Sequence, residues 1–357
     1  MRPATTLVVA TLLAVAAPLA LAASPTGTMT WRRAELRPGV SIAGYDINSD
    51  SGQVAASLCR DRSTCVIAVR SEDGNVSVFR PPANTAWREP RFQGRHTLLI
   101  VATPGGQRLW STEQSSIARL DLRTGRETPL VGQARFISSM TPVGRAGVCF
   151  AEATGFQPTP IGPKPVRFAL RCIDDLGRDR TLGRMVFNAV HDLAHDARSG
   201  SLLFNGAASA YGGETPAFLA PSRDGPPQNM LAAADLTTGA ITLPVSRPVM
   251  RTQWFAGLDE AGRPLLGRGP LRAHRLPLGR RGSDLSRIGA APGKMTEIAG
   301  LPPGVVRPWS DRGLLLVNDV KHGAGVHDLA WIDFKTGSVS PDPTLTDALI
   351  AATATKR

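Results

Sequence analysis

Short runs of alternating apolar and polar residues, each ending in a glycine turn, recur along the chain. Three share one pattern: Leu120-Asp121-Leu122-Arg123-Thr124-Gly125, Ala234-Asp235-Leu236-Thr237-Thr238-Gly239 and Ile332-Asp333-Phe334-Lys335-Thr336-Gly337. Period-2 alternation running into a Thr-Gly turn predicts a β-hairpin, because glycine supplies the positive φ that such turns require. Looser copies end at Gly74, Gly177 and Gly282, the last carrying Pro277, which marks an edge strand. A second element is a short polar turn followed by an apolar strand. It occurs at Asp196–Phe204, Asp259–Leu266 and Ser310–Val317, with a looser copy at Asp50–Ala56.

The turn glycines at 74, 125, 177, 239, 282 and 337 are 51, 52, 62, 43 and 55 residues apart. The longest step contains the proline-bearing stretch Glu214–Pro227, which reads as a loop insertion. A period of roughly 40–55 residues with four short strands per unit predicts a β-propeller. The physical reason is that one four-stranded sheet cannot bury both faces alone, whereas radial stacking covers each sheet with its neighbours. The expectation is an all-β chain folded as a single β-propeller. It has six blades of four-stranded antiparallel sheets over residues 31–341, seven blades being the alternative. Residues 342–357 form a C-terminal tail with a helical stretch near Leu345–Ala354.

The Asp-turn-Gly-apolar strand followed by D-L-x-T-G resembles the TolB-type, WD40-like propeller repeats of exported bacterial proteins. The resemblance covers most of the chain, at the level of a repeat and not of a whole protein. It implies a fold far more than a function, since propellers with unrelated roles share the motif. Peptidases with such propellers append an α/β-hydrolase domain. Here sixteen residues follow the last hairpin unit, and no G-x-S-x-G nucleophile elbow occurs.

Composition adds an address. Met1-Arg2, an apolar run from Thr5 to Ala17 and Ala20-Leu21-Ala22 make residues 1–22 a secretory signal peptide, with a core too short to span a bilayer. No later stretch reaches the ~18 apolar residues of a membrane span. The expectation is therefore a periplasmic or secreted protein, a monomer without a transmembrane segment. Four cysteines in an export context imply disulfides. Cys59 and Cys65 flank a polar turn between two apolar runs, and Cys149 and Cys172 lie in apolar runs joined by a proline-rich loop. Facing positions on adjacent antiparallel strands suit a bridge, so Cys59–Cys65 and Cys149–Cys172 are expected among the three pairings that four cysteines allow.

The chemistry is sparser. Charged residues are 20% and hydrophobic residues 42% of the 357, a globular balance that excludes a disordered chain. The net charge of +12 comes almost entirely from arginine, 36 of the 41 basic residues. An acid-free stretch holds Arg263, Arg268, Arg272, Arg275, Arg280 and Arg281, a candidate surface for anionic partners through bidentate guanidinium contacts. Export argues against nucleic acid as a partner. A protein, a peptide or an acidic envelope polymer fits better. His191 and His195 form the one local histidine cluster, each beside an aspartate that could orient it. Together with Asn188, Asn205, Asn318 and Asp319 at strand ends they are the candidate Ca²⁺ or Zn²⁺ ligands, although two histidines without a third ligand do not complete a site. Asp121, Asp235 and Asp333 occupy one position in each repeat, which points to turn hydrogen bonding and not to catalysis. Two functions stay open: a non-catalytic binding or scaffold protein without a cofactor, or a metal-dependent hydrolase or lactonase with its site on the propeller axis.

Overall fold

The computed structural model describes residues 40–351 apart from 61–63, 106–113, 161–162, 209–228, 243–252, 259–263, 269–282, 289–294, 302–303, 311, 319–326, 334–338, 343–344, 346 and 349–350. The first sheet comprises β1 (Val40–Ile47), β2 (Val54–Arg60), β3 (Thr64–Arg70) and β4 (Val76–Phe79). The second comprises β5 (Thr85–Phe92), β6 (Thr97–Pro104), β7 (Ser115–Asp121) and β8 (Glu127–Ala134). The third has seven strands: β9 (Ile137–Val143), β10 (Gly147–Gln157), β11 (Lys164–Ile173), β12 (Asp179–Asp196), β13 (Ser201–Ala208), β14 (Asn229–Asp235) and β15 (Ile241–Thr242). The fourth is β16 (Gln253–Leu258), β17 (Pro264–Arg268), β18 (Ser283–Ile288) and β19 (Met295–Leu301). The fifth is β20 (Gly304–Trp309), β21 (Arg312–Asn318), β22 (His327–Asp333) and β23 (Val339–Pro341). Every sheet is an antiparallel meander with its strands in chain order.

The repeat predicts six separate sheets, and the described residues form five. The cause is β12, an 18-residue strand. It pairs with β11 from Asp179 to Phe187 and with β13 from Phe187 to Asp196. The strand that closes one repeat thus runs straight into the strand that opens the next, and the units with turns at Gly177 and Gly239 share one sheet.

The sheets stack face to face, and β6 shows why its sequence must be apolar on both sides. Six successive residues, Leu98 to Thr103, are buried. Leu98, Ile100 and Ala102 pack with Ala55, Ile67 and Val69 of the first sheet, whereas Leu99 and Val101 pack with Met140, Val148 and Phe150 of the third. A strand covered on both faces loses the one-sided alternation and reads as a continuous apolar run. The opening strands touch in cyclic order: β1 with β5, β5 with β9, β9 with β12, β12 with β16, β16 with β20 and β20 with β1. The architecture is a β-propeller whose innermost strands surround one axis.

Local chemistry fixes the turns. Asp121 Oδ1 accepts the backbone N–H groups of Arg123 and Thr124 at 2.8 and 3.0 Å, and Asp235 Oδ1 accepts those of Thr237 and Thr238 at 2.8 and 2.6 Å. Each hairpin is completed by a glycine at φ 70° or 72°, Gly125 and Gly239. Asp333 holds the same position, and the turn that follows it lies outside the described residues. Two disulfides staple neighbouring strands: Cys59 to Cys65, opposite each other in β2 and β3, and Cys149 to Cys172, opposite in β10 and β11. Among the described residues no helix is long and apolar enough to cross a membrane.

Among the described residues no strand is exchanged between the first and last sheets, and side chains join the two. Ile42, Tyr45, Val54 and Leu58 pack with Leu314, Leu329 and Leu345. The Tyr45 hydroxyl donates to the Leu314 carbonyl at 2.8 Å, and Trp309 Nε1 donates to the Ser49 carbonyl at 3.1 Å. The Trp309 ring lies over Gly52, where a Cβ would come within 2.5 Å of Cζ2. Asp342 sets the tail, accepting the Leu345 N–H at 2.9 Å and the Trp331 indole N–H at 3.0 Å. Leu345 is fully buried in this seam. Leu345→Ala should lower unfolding stability in urea by about 2–5 kcal/mol, the usual cost of truncating a buried leucine. A loss below about 0.5 kcal/mol would show that the tail does not seal the ring.

Candidate functional site

Pairing between the opening strands and their neighbours is interrupted repeatedly, among other places at Ile42/Gly44 in β1, Arg88/Arg91 in β5, His191/Ala194 in β12 and Phe255/Gly257 in β16. A bulge bends the strand and re-aims the side chain it carries. Two of these bulges hold a non-glycine residue at positive φ, Glu89 at 49° and Asp192 at 56°. That conformation costs on the order of 1–3 kcal/mol and persists only where its surroundings enforce it. Gly44 supplies part of the room. A Cβ there would lie 3.2 Å from Cα, Cδ and Oε1 of Glu89.

These distortions gather charge at the axis. Arg91 donates from Nη2 to Glu89 Oε2 at 3.0 Å, and from Nη1 to the carbonyls of Pro90 at 2.8 Å and Tyr45 at 3.2 Å. Asp46 Oδ2 accepts the Phe92 N–H at 2.8 Å, so β1 and β5 are tied in both directions. Arg307 of β20 reaches Asp192 of β12, Nη2 to Oδ1 3.7 Å, a span between two sheets that are not neighbours. Asn205 donates to the other Asp192 oxygen at 3.3 Å. The Nε atoms of Arg91 and Arg307 are buried without a hydrogen-bond partner among the described residues.

Low dielectric shapes this cluster. Asp46 keeps some accessible area yet is enclosed by protein, and the resulting desolvation raises its pKa despite the nearby Arg91 and Arg307. Burial lowers the pKa of Arg91, and repulsion from Arg307 adds to this, against the pull of Glu89, Asp46 and Asp192. For Arg307 burial acts downward too, but Asp192 and the other acids outweigh it and raise the pKa. Burial brings Arg88 down to about 10, still a cation at neutral pH, with its guanidinium 5.8 Å from the Phe136 ring centroid. The arrangement can bind polar or charged groups along the axis.

The residues singled out in the sequence fare differently. Arg263, Arg272, Arg275, Arg280, Arg281 and Asp319 lie outside the described residues. Arg268 and Asn318 are placed as the last residues of β17 and β21, by their backbone pairing alone. The backbone of Asn188 lies in β12. His191 is exposed and stands opposite Asn205, while His195 is half-buried opposite Leu202. Burial holds the His195 imidazole below its ordinary pKa, against the pull of Asp196. Asn205 is buried, and its amide serves Asp192. Among the described residues no three histidine, cysteine, aspartate or glutamate side chains gather as metal ligands. Asp46, Glu89, Arg91 and Arg307 escaped the sequence reading. The signal was Arg88-Glu89-Pro90-Arg91, four successive polar or strand-breaking residues inside a strand that is otherwise buried.

The raised pKa of Asp46 makes a prediction about pH. The native state holds this proton more tightly than the unfolded chain, so the contribution of Asp46 to stability falls as pH rises from 3.8 through the folded value. Asp46→Asn keeps an acceptor for the Phe92 N–H but cannot ionise. Urea midpoints across that window should show the variant gaining on the wild type as pH rises, and a constant offset at every pH would contradict the assignment.

No protein-family model and no curated protein matches the chain. Solved structures do. TolB from Acinetobacter baumannii superposes with a TM-score of 0.55 at 10% identity, over 83% of this chain and 65% of that one. A puromycin hydrolase S511A mutant complexed with PGG gives 0.51 at 15% identity, over 85% and 46%. An oligogalacturonate lyase in complex with manganese gives 0.50 at 13% identity, over 81% and 74%. The chain thus spans just under two thirds of the TolB structure and about half of the hydrolase. At such identities the likeness concerns the fold, which is a TolB-like β-propeller.

Proposed function

We propose that this chain is an exported, non-catalytic binding protein that grips a protein or peptide partner at the propeller axis. The observation that carries the reading is the convergence of Asp46, Glu89, Arg91, Asp192 and Arg307 from four sheets, two of them on left-handed bulges. Strain of this kind is retained where a precise side-chain placement is needed, and loops and axial openings of propellers are natural binding surfaces. Fold does not choose between roles, since the structural neighbours include TolB, a hydrolase and a lyase.

Several further features support the reading. Two disulfides suit an oxidising compartment such as the periplasm or cell envelope, in keeping with residues 1–22 acting as a signal peptide. The ring of opening strands has six members, β1, β5, β9, β12, β16 and β20. It supports six blade units, two of them fused through β12. The arginines between 263 and 281 would offer acidic envelope partners a second contact. The protein works as a monomer and needs no cofactor.

The test is cross-linking of the mature chain in its native envelope, followed by affinity capture. Wild type should retain a partner that a folded Glu89→Gln/Arg307→Gln variant captures about tenfold less, the effect of losing roughly 1.4 kcal/mol at the axis. Equal capture by both would place the partner surface elsewhere. In parallel, millimolar Ca²⁺ or Zn²⁺ should leave the melting temperature unchanged. A clear rise would favour a metal-dependent hydrolase or lactonase instead.

A further inference from the structure

The side chains at the axis are unequally served. Glu89 Oε2 accepts from Arg91 and Asp192 Oδ2 accepts from Asn205, with Arg307 farther off beside Asp192 Oδ1. Each arginine keeps a donor in reserve. Arg91 keeps only 5% of its side chain exposed, yet among the described residues its Nε–H has no acceptor, and the Nε–H of Arg307 has none either. A buried N–H without an acceptor is costly, and a guanidinium has five such donors in a fixed fork. Arg307 meets Asp192 only at 3.7 Å, longer than a hydrogen bond. The two cations also repel each other, which helps to lower the pKa of Arg91. Two guanidinium groups that repel each other, each with an Nε–H unserved among the described residues, would be stabilised by a further acceptor of negative charge.

The surrounding acids restrict what that component can be. Glu89, Asp192 and Arg307 retain 27%, 20% and 15% of their side chains exposed, so the accessible wall of the site mixes one cation with two carboxylates. A dianion such as phosphate would meet repulsion from Glu89 and Asp192. A single carboxylate matches the guanidinium fork in shape and charge and brings only one negative charge. From the unserved donors and the acidic flanks we infer that Arg307, backed by Arg91, is a receptor for one carboxylate group, such as the C-terminus of a peptide. The inference rests on the axis being the binding site and specifies the group that enters it. On binding, the carboxylate accepts from Arg307 and replaces the long contact to Asp192, which stays held by Asn205.

The experiment uses acetyl-triglycine as the free acid and as the C-terminal amide, titrated into the disulfide-intact mature protein. Two-dimensional ¹⁵N NMR follows the arginine Nε–H signals, assigned with Arg91→Lys and Arg307→Lys. The free acid should shift the Arg307 Nε–H signal and bind about tenfold or more tightly than the amide, the worth of one charge-assisted pair. Arg307→Gln should abolish the preference, Arg307→Lys should keep only part of it, and inorganic phosphate should not compete at equal concentration. Equal binding of acid and amide, absence of any shift with the acid, or a preference that survives Arg307→Gln would each overturn the inference. Competition by phosphate would overturn the carboxylate selectivity. If these fail while envelope capture still depends on Glu89 and Arg307, only the carboxylate assignment falls. If capture is also indifferent to them, the axial reading falls as well.

Discussion

The seam between the first and last sheets is the contact on which the rest of the molecule depends. Among the described residues each of these sheets takes all its strands from its own end of the chain, and no backbone ladder joins the two. Closure falls to packing around Tyr45, Leu314, Leu329 and Leu345, with the Tyr45 and Trp309 hydrogen bonds fixing its geometry. Apolar burial is non-directional, so the two hydrogen bonds supply what packing lacks, a register between sheets that are far apart in sequence. The turn at Gly52 matters for the same reason: its missing side chain is where the Trp309 ring rests.

The axis inherits its composition from that closure. Asp46 belongs to the first sheet and Arg307 to the last, so both are brought to the axis only when the seam is closed. Charges placed so deep lose hydration, and the opposing directions in which Asp46, Arg91 and Arg307 titrate follow from the balance of that loss against their neighbours. Bulges in β5 and β12 add backbone strain to the cost. A fold optimised for stability alone would put apolar residues here. The combination of buried ions and left-handed non-glycine residues on inner strands is the physical ground for locating binding at this place.

Much of the fold could be read from the chain, and the reason is local. Asp121 and Asp235 each cap their own turn, so a motif of six residues carries its own explanation. Facing cysteines on adjacent strands are nearly as local. The sheet count was not legible, because a turn is written in glycine and aspartate but its absence within β12 is written in nothing distinctive. The candidate site was harder still. Asp46 and Phe92, or Asp192 and Arg307, are joined only after the ring has formed, and no spacing along the chain encodes them. Histidines attracted notice at His191 and His195, whereas the residue that reaches the axis is Asp192 between them.

A double-mutant cycle between Arg307→Gln and Asp192→Asn, read as unfolding free energy, bears most directly on whether closure of the ring delivers charge across the axis. Partners in contact should show a coupling above about 0.5 kcal/mol, with each single variant losing more than its share of the double. Additivity within roughly 0.3–0.5 kcal/mol would mean that β20 and β12 do not meet there, and the axial site would be lost with that contact.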